Sequence, residues 1–149
     1  MFNIKKLAIL ATAVMTVRNA AGEPQLDEAG APLTIALYGP GSKPYQAAKH
    51  KAEERNSTRA FARMQGKAEG KQSEAEKRAE RAEFLAACTV AFNGFGLDGL
   101  AGYELYKAVY ADIEIGHIAE DAEKFLGERA NFLPLPANSS PSTSATQPG

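Results

Sequence analysis

Polar and apolar residues alternate with a period of two in two stretches of the first forty residues. In the first stretch, 11–18, one face carries small or apolar residues, namely Ala11, Ala13, Met15 and Val17. In the second, 33–38, Leu33, Ile35 and Leu37 alternate with Thr34, Ala36 and Tyr38. With glycine-containing turn segments between them, these patterns predict two β-strands in a hairpin or short meander over about 11–38. Because an isolated hairpin is marginal in water, we expect its apolar face to cover helices and its edge to be a candidate contact surface.

From residue 43 onward the apolar residues recur at steps of three and four, which predicts about four helices over about 43–130. Ser42 and Pro44 predict the start of a largely solvated, basic helix that ends near Gln65. Its weak apolar stripe consists of Tyr45, Ala48, Ala52, Ala60 and Met64.

The segment Ser73-Glu74-Ala75-Glu76 is a capping box, which predicts the start of a second helix. Its apolar stripe runs through Leu85, Thr89 and Phe92, so we expect the helix to end at Asn93-Gly94. A third helix is predicted around Tyr103 to Tyr110 and a fourth from about Glu114 to Arg129. The fourth has the clearest stripe: Ile115, Ile118, Ala119, Ala122, Phe125 and Leu126.

These elements predict one α+β domain over 1–136, followed by a tail at 137–149 that is rich in Ser, Thr and Pro and carries no charge. Such a composition cannot bury enough apolar surface to offset the entropy of ordering, so we expect the tail to be disordered. The whole chain has 149 residues, of which 44% are hydrophobic and 23% charged. This composition is typical of a globular protein.

The net charge of -1 argues against a nucleic-acid partner. The charge is nevertheless segregated along the chain. Residues 42–83 contain eleven basic and seven acidic residues, whereas 84–130 contain three basic and eight acidic ones. In one interpretation, the two halves face each other or are simply solvated. In the other, they support head-to-tail self-association or docking on charged partners.

The N-terminus resembles a signal peptide in part, because Lys5 and Lys6 precede the apolar stretch 7–15. A cut after Ala13 leaves too short an apolar region, and a cut after Ala20 places Arg18 at an unfavourable position. We therefore expect the bacterial cytoplasm, with a secreted helical protein as an alternative. The stretch is too short to span a bilayer, and the single cysteine, Cys88, fits a reducing compartment.

Three groups of residues are candidate sites of chemistry. The motif Gly94-Phe95-Gly96-Leu97-Asp98-Gly99 matches the dinucleotide fingerprint, but the predicted helix before it is the wrong context. His117 lies near Glu120 and Asp121 without forming a metal-binding motif, and His50 lies on another helix. Cys88 is expected to be a small buried hydrophobic residue. We therefore predict no catalytic, cofactor-binding or metal-binding residues, no cofactor, and a protein that is not an enzyme.

Aromatic residues are the remaining candidates for function. The spacing of Tyr103, Tyr106 and Tyr110 places them on one face of the third helix, and Phe132 follows the fourth helix. They either pack in the core or form exposed anchors of the kind that dominates protein interfaces. We take all four as candidate partner-binding residues.

Several segments resemble small proteins encoded among the tail genes of long-tailed bacteriophages and prophages. The resemblance covers 11–133 and rests on the segments 34–42, 82–89, 105–112, 116–118 and 129–132. The most similar class is that of the tail assembly chaperones. The resemblance implies a protein that binds the tape-measure protein, keeps its long hydrophobic helices soluble and helps bring tail-tube subunits to it. A minor structural virion protein of the tail or neck is the alternative.

Overall fold

A computed structural model describes residues 1–67 and 71–134, which form an α+β fold as predicted. The predicted disordered tail lies outside these residues. A three-stranded antiparallel sheet has the order β1-β2-β3, and the helices of the described chain pack mainly on one of its faces. The elements are β1 (Thr12–Thr16), β2 (Thr34–Tyr38), α1 (Lys43–Met64), α2 (Glu74–Ala87), β3 (Thr89–Asn93), α3 (Gly102–Ala111) and α4 (Gly116–Leu126), with short 3-10 helices at Ile4–Leu7, Ile113–Ile115 and Arg129–Phe132.

The predicted hairpin is confirmed. β1 pairs with β2 in a regular antiparallel register in which Val14 lies opposite Ala36. The alternation in the sequence has the expected cause, because Met15, Ile35 and Leu37 all point into the core and are buried. The period of two therefore identified both the strands and the face that they bury.

The predicted extent of the second helix is wrong. α2 ends at Ala87, and the residues predicted to continue it form β3, which pairs with β2. Thr89 and Phe92 fit a helical stripe, but Thr89 and Val90 are β-branched and favour strands. The Thr89 hydroxyl donates to the Leu85 carbonyl at 2.8 Å, which helps to close the end of the helix.

α1 starts at the predicted cap, since the Ser42 hydroxyl accepts from the Tyr45 amide at 3.3 Å. Its solvated character is also as predicted, because Ala62 is its only buried residue. Met64 does not extend the apolar stripe into the core, because it is 84% exposed. The capping box of α2 is present as well, with the Ser73 hydroxyl accepting from the Glu76 amide at 3.1 Å.

The segregated charges meet only in part. Arg59 binds the Glu80 carboxylate at 2.9 Å, and Arg55 binds the Glu83 carboxylate at 3.3 Å. These ion pairs join α1 to α2 within the basic half. Between the two halves, the described residues contain one ion pair, from Arg81 to Glu123 at 3.6 Å. Most charges of the acidic half therefore remain at the surface.

The core lies between the sheet and α2, α3 and α4. Its largest fully buried side chains are Tyr110, Phe132, Ile35, Leu37, Leu85 and Cys88. Phe132 packs so closely on Gly39 that any Cβ atom at position 39 would overlap its ring. The described residues contain no helix that combines the length and apolar character needed to cross a bilayer.

Candidate functional site

The two edges of the sheet are treated differently by the rest of the fold. At the β3 edge, the Tyr106 hydroxyl on α3 donates to the Val90 carbonyl at 3.3 Å. The Phe92 ring packs on the rings of Phe95 and Tyr106, with centroids 4.5 and 4.6 Å away. The pairing of β3 with β2 also carries an irregularity at Ala36/Leu37. An irregular, covered edge of this kind is protected from pairing with another chain.

At the β1 edge, every second residue directs its backbone groups away from the sheet. Antiparallel strands alternate between hydrogen-bonded and non-hydrogen-bonded pairs. Gly39 donates to the Ala11 carbonyl at 2.8 Å, and Val17 donates to the Leu33 carbonyl at 2.9 Å. The odd-numbered residues of β1 therefore bond to β2. The N–H and C=O groups of the even-numbered residues Thr12, Val14 and Thr16 face the open edge, where no described strand pairs with them.

Both ends of this open edge are closed by other elements. The Leu10 N–H donates to the Phe132 carbonyl at 2.7 Å, which ties the start of β1 to the last 3-10 helix. Beyond the other end, the Arg18 carbonyl lies 3.0 Å from His117 Nε2 at the start of α4. α4 thus runs beside β1 in the opposite direction, and the five residues of β1, three of which have unpaired outward groups, lie between these two contacts.

A cleft of about 580 Å³ lies between β1 and α4. Met15, Thr16 and Arg18 contribute to one wall. On the other side, α4 presents a stripe at the spacing i, i+3, i+4 and i+7 that continues just past its end: Asp121, Lys124, Phe125 and Glu128. Within the described chain, the charged groups of Asp121, Lys124 and Glu128 make no hydrogen bond or ion pair. They are available to a binding partner.

The four aromatic candidates separate into two pairs. Tyr110 and Phe132 are fully buried, so the expectation that they form exposed anchors is corrected. Their place in the core follows from their packing, because Tyr110 also shares a 2.8 Å hydrogen bond with the Thr89 hydroxyl. Tyr103 is 43% exposed and lies beneath the Lys107 ammonium, which is 5.5 Å from the ring centroid. Tyr106 is partly exposed and covers the β3 edge.

A second apolar surface lies at the N-terminal segment. Phe2, Ile4 and Leu7 are each more than 60% exposed. The Leu10 N–H also bonds to Phe132, the residue before Leu133, which is itself 54% exposed. Exposed apolar residues that gather in one region mark interaction surfaces more often than single ones do.

The structure corrects the predicted context of the glycine motif at 94–99, which was a preceding helix. A strand, β3, precedes it, and α3 follows it. The sheet is nevertheless antiparallel, whereas a dinucleotide site requires a parallel βαβ unit. Gly94 and Gly99 have positive φ angles of 93° and 74°, which are the conformations of a tight loop.

The surroundings of the two histidines and of the cysteine differ from those of a reactive site. His50 lies 3.4 Å from the Glu54 carboxylate, and His117 contacts the backbone of Arg18 instead of a neighbouring acid. Cys88 is fully buried as predicted, and burial raises the pKa of its thiol from 9.0 to about 12. Across 1–67 and 71–134, no cluster of three or more His, Cys, Asp or Glu residues is arranged to hold a metal ion.

Comparison with known proteins adds no relative: no family model, curated protein or solved structure matches this chain. The function must therefore be argued from the geometry and the sequence pattern. Sequence reasoning missed the cleft beside β1, although Asp121, Lys124, Phe125 and Glu128 share one helix face. Their spacing would have identified the stripe, but the element that it faces depends on the tertiary fold.

Proposed function

We propose that this protein is a non-enzymatic tail assembly chaperone of a long-tailed bacteriophage or prophage. It acts in the cytoplasm of the host bacterium, binds the tape-measure protein and helps to recruit tail-tube subunits. The resemblance of 11–133 to tail-gene products supports this proposal. The structural observation that carries it is the exposure of the apolar residues Phe2, Ile4 and Leu7 in the N-terminal segment and of Leu133.

Exposed apolar side chains suit a client that has apolar surface of its own. A tape-measure protein has long helices with apolar stripes, which aggregate unless they are covered. Apolar residues in a partner cover such stripes by packing against them, and the removal of apolar area from water stabilises the complex. Lys5 and Lys6 lie among the exposed apolar residues and keep the segment hydrated when no client is bound. Tyr103 is a further exposed aromatic anchor.

Co-expression with the tape-measure protein encoded nearby tests this proposal. We expect the soluble fraction of the tape-measure protein to rise severalfold, with the same rise when a chelator is present in the lysate. The triple variant Phe2→Ser, Ile4→Ser, Leu7→Ser should abolish the rise. A matched control, Phe61→Ser with Met64→Ser, removes two exposed apolar residues from α1 and should leave the rise unchanged.

Two results would contradict the proposal. One is a tape-measure protein whose solubility does not respond to this chain. The other is recovery of this chain at fixed copy number in finished particles, which would identify a structural virion protein. N-terminal sequencing of the purified protein examines the secreted alternative, because cleavage after Ala13 or Ala20 would remove part or all of β1.

A further inference from the structure

We propose that the cleft between β1 and α4 binds an extended peptide segment of another protein, which adds to the sheet as a fourth strand next to β1. This surface is distinct from the N-terminal apolar surface, and the inference does not depend on the identity of a tail client. It names the binding mode and the side-chain chemistry of the ligand.

The backbone of β1 is suited to strand addition. Thr12, Val14 and Thr16 present unpaired N–H and C=O groups at the open edge. Natural proteins protect such edges with lysines, prolines or bulges. β1 has none of these, since it reads Thr-Ala-Val-Met-Thr and pairs with β2 in an unbroken register. Main-chain hydrogen bonds to an open edge of this kind give affinity, and neighbouring pockets give specificity.

The walls of the cleft favour a single strand over a second copy of this chain. α4 lies on the far side of the cleft, and the contacts of Leu10 with Phe132 and of Arg18 with His117 close the two ends of the β1 edge. A second copy that paired through its own β1 would bring β2 into the space that α4 occupies. A lone extended segment that enters the cleft beside Met15 and Thr16 and continues along β1, a strand of five residues, needs no such space.

The lining specifies the side chains of this segment. Phe125 and Met15 contribute apolar side chains to the lining of the cleft. Asp121 lies four residues before Phe125 within α4, and Glu128 follows three residues after it, just beyond the end of the helix at Leu126. Residues i, i+2 and i+4 of a strand point to the same face. A strand with an apolar residue between two basic residues, each two positions away, can therefore direct its apolar side chain to Phe125 and its long basic side chains to the two carboxylates.

The two basic residues that line the cleft do not cancel its preference for basic side chains in the ligand. The Arg18 guanidinium donates to the Gly22 carbonyl at 3.0 Å. Lys124 also borders the neighbouring surface lined by Tyr45 and Phe84, towards which its flexible side chain can turn. With Lys124 turned that way and the Arg18 guanidinium held by the Gly22 carbonyl, the carboxylates of Asp121 and Glu128 are left to a ligand in the cleft, and they complement a basic one.

The test uses the full chain and the acetylated, amidated peptide TKTVTKT, with binding followed by fluorescence anisotropy of a labelled copy. We expect saturable binding. Methylation of the central valine nitrogen together with that of the next threonine should weaken binding at least tenfold, because neighbouring N–H groups of a strand point to opposite edges and one of the two therefore faces β1. The peptide TETVTET should bind more weakly than TKTVTKT, and the difference should shrink as salt rises.

Protein variants separate the backbone and charge contributions. Val14→Pro removes an edge N–H that makes no bond within the sheet, so it should abolish binding while the fold is kept, whereas Val14→Thr should bind normally. Asp121→Asn with Glu128→Gln should remove the preference for lysine over glutamate peptides. The matched control, Glu114→Gln with Glu120→Gln, changes the same charge outside the cleft and should keep that preference.

Three results would overturn the inference. The first is no binding of TKTVTKT at millimolar concentration. The second is equal binding of the methylated and unmethylated peptides to the unaltered protein, a comparison that does not depend on how well any variant folds. The third is a concentration-dependent dimer that Val14→Pro dissociates, which would assign the edge to a second copy.

Discussion

The β3 edge and the β1 edge belong to one sheet, yet the fold uses them for different purposes. At the β3 edge, a side chain from α3 bonds to a strand carbonyl and three aromatic rings pack together. At the β1 edge, α4 stands away from the strand and leaves a cleft between closed ends. The β3 edge therefore contributes to stability, whereas the β1 edge retains unpaired backbone groups, which we propose bind a ligand.

The largest expected effect lies on the β3 side, at Tyr110. Its ring is fully buried, and its hydroxyl bonds to Thr89. Tyr110→Ala should lower the free energy of unfolding by about 3–5 kcal/mol, through lost burial and a cavity. Urea denaturation monitored by circular dichroism measures this loss. Tyr103→Ala, at an exposed position of the same helix, should change the value by less than about 0.5 kcal/mol.

Single proline substitutions at two adjacent positions test the difference between the two sides of β1. Met15→Pro removes a ladder hydrogen bond and a buried side chain, so it should cost about 3 kcal/mol or more. Val14→Pro removes only an outward N–H and should cost less than about 1 kcal/mol. Thermal melting of the two variants measures the difference. Equal losses would contradict the assignment of odd-numbered residues to the β2 side.

Stability should also fall at alkaline pH, because burial keeps the Cys88 thiol neutral. Its pKa is about 12 in the folded chain against 9.0 for an exposed thiol. The unfolded state therefore releases a proton from about pH 9 upward and the folded state does not, so the stability present below pH 9 is lost as pH rises. The expected loss is about 1.4 kcal/mol at pH 10.

Urea denaturation between pH 8 and pH 10 checks this dependence, with Cys88→Ala as the control that should flatten it. Burial raises the pKa of Tyr110 as well, which adds a loss of the same sign above pH 10. A free energy of unfolding that rises between pH 8 and pH 10 would show that the Cys88 thiol is not held neutral.

The smallest effect is expected for the hydroxyl that covers the β3 edge. Tyr106→Phe removes the hydrogen bond to the Val90 carbonyl and should cost about 0.5–1 kcal/mol, since the bond is long and partly exposed. The ring packing on Phe92 remains. If the loss matched that of Tyr110→Ala, the hydroxyl and not the buried core would be the main support of this edge.

The sequence predicted those elements whose signals are local. Alternation identified β1 and β2, and the caps at Ser42 and Ser73 identified the starts of α1 and α2. It missed β3 because Thr89 and Phe92 fit a helical stripe as well as a strand. These residues form a strand because β2, about fifty residues earlier in the chain, offers a free side with which they pair.

The candidate site was predicted only in outline. The edge of the hairpin was expected to be a contact surface, but two strands have two free edges, and only the position of β3 decides which one remains open. The aromatic spacing in α3 correctly grouped three tyrosines on one helix, yet it could not separate the buried Tyr110 from the exposed Tyr103. Burial is set by neighbouring elements, which helical spacing alone does not specify.

Amide hydrogen exchange, measured residue by residue with and without the peptide TKTVTKT, tests the central claim about β1 most directly. In the free protein, the amides of Thr12, Val14 and Thr16 should exchange rapidly while those of Ala13 and Met15 are protected. Bound peptide should slow those of the first group that face it by at least tenfold and leave the second group unchanged. Slow exchange of Val14 in the free protein, or no change on peptide addition, would contradict the account.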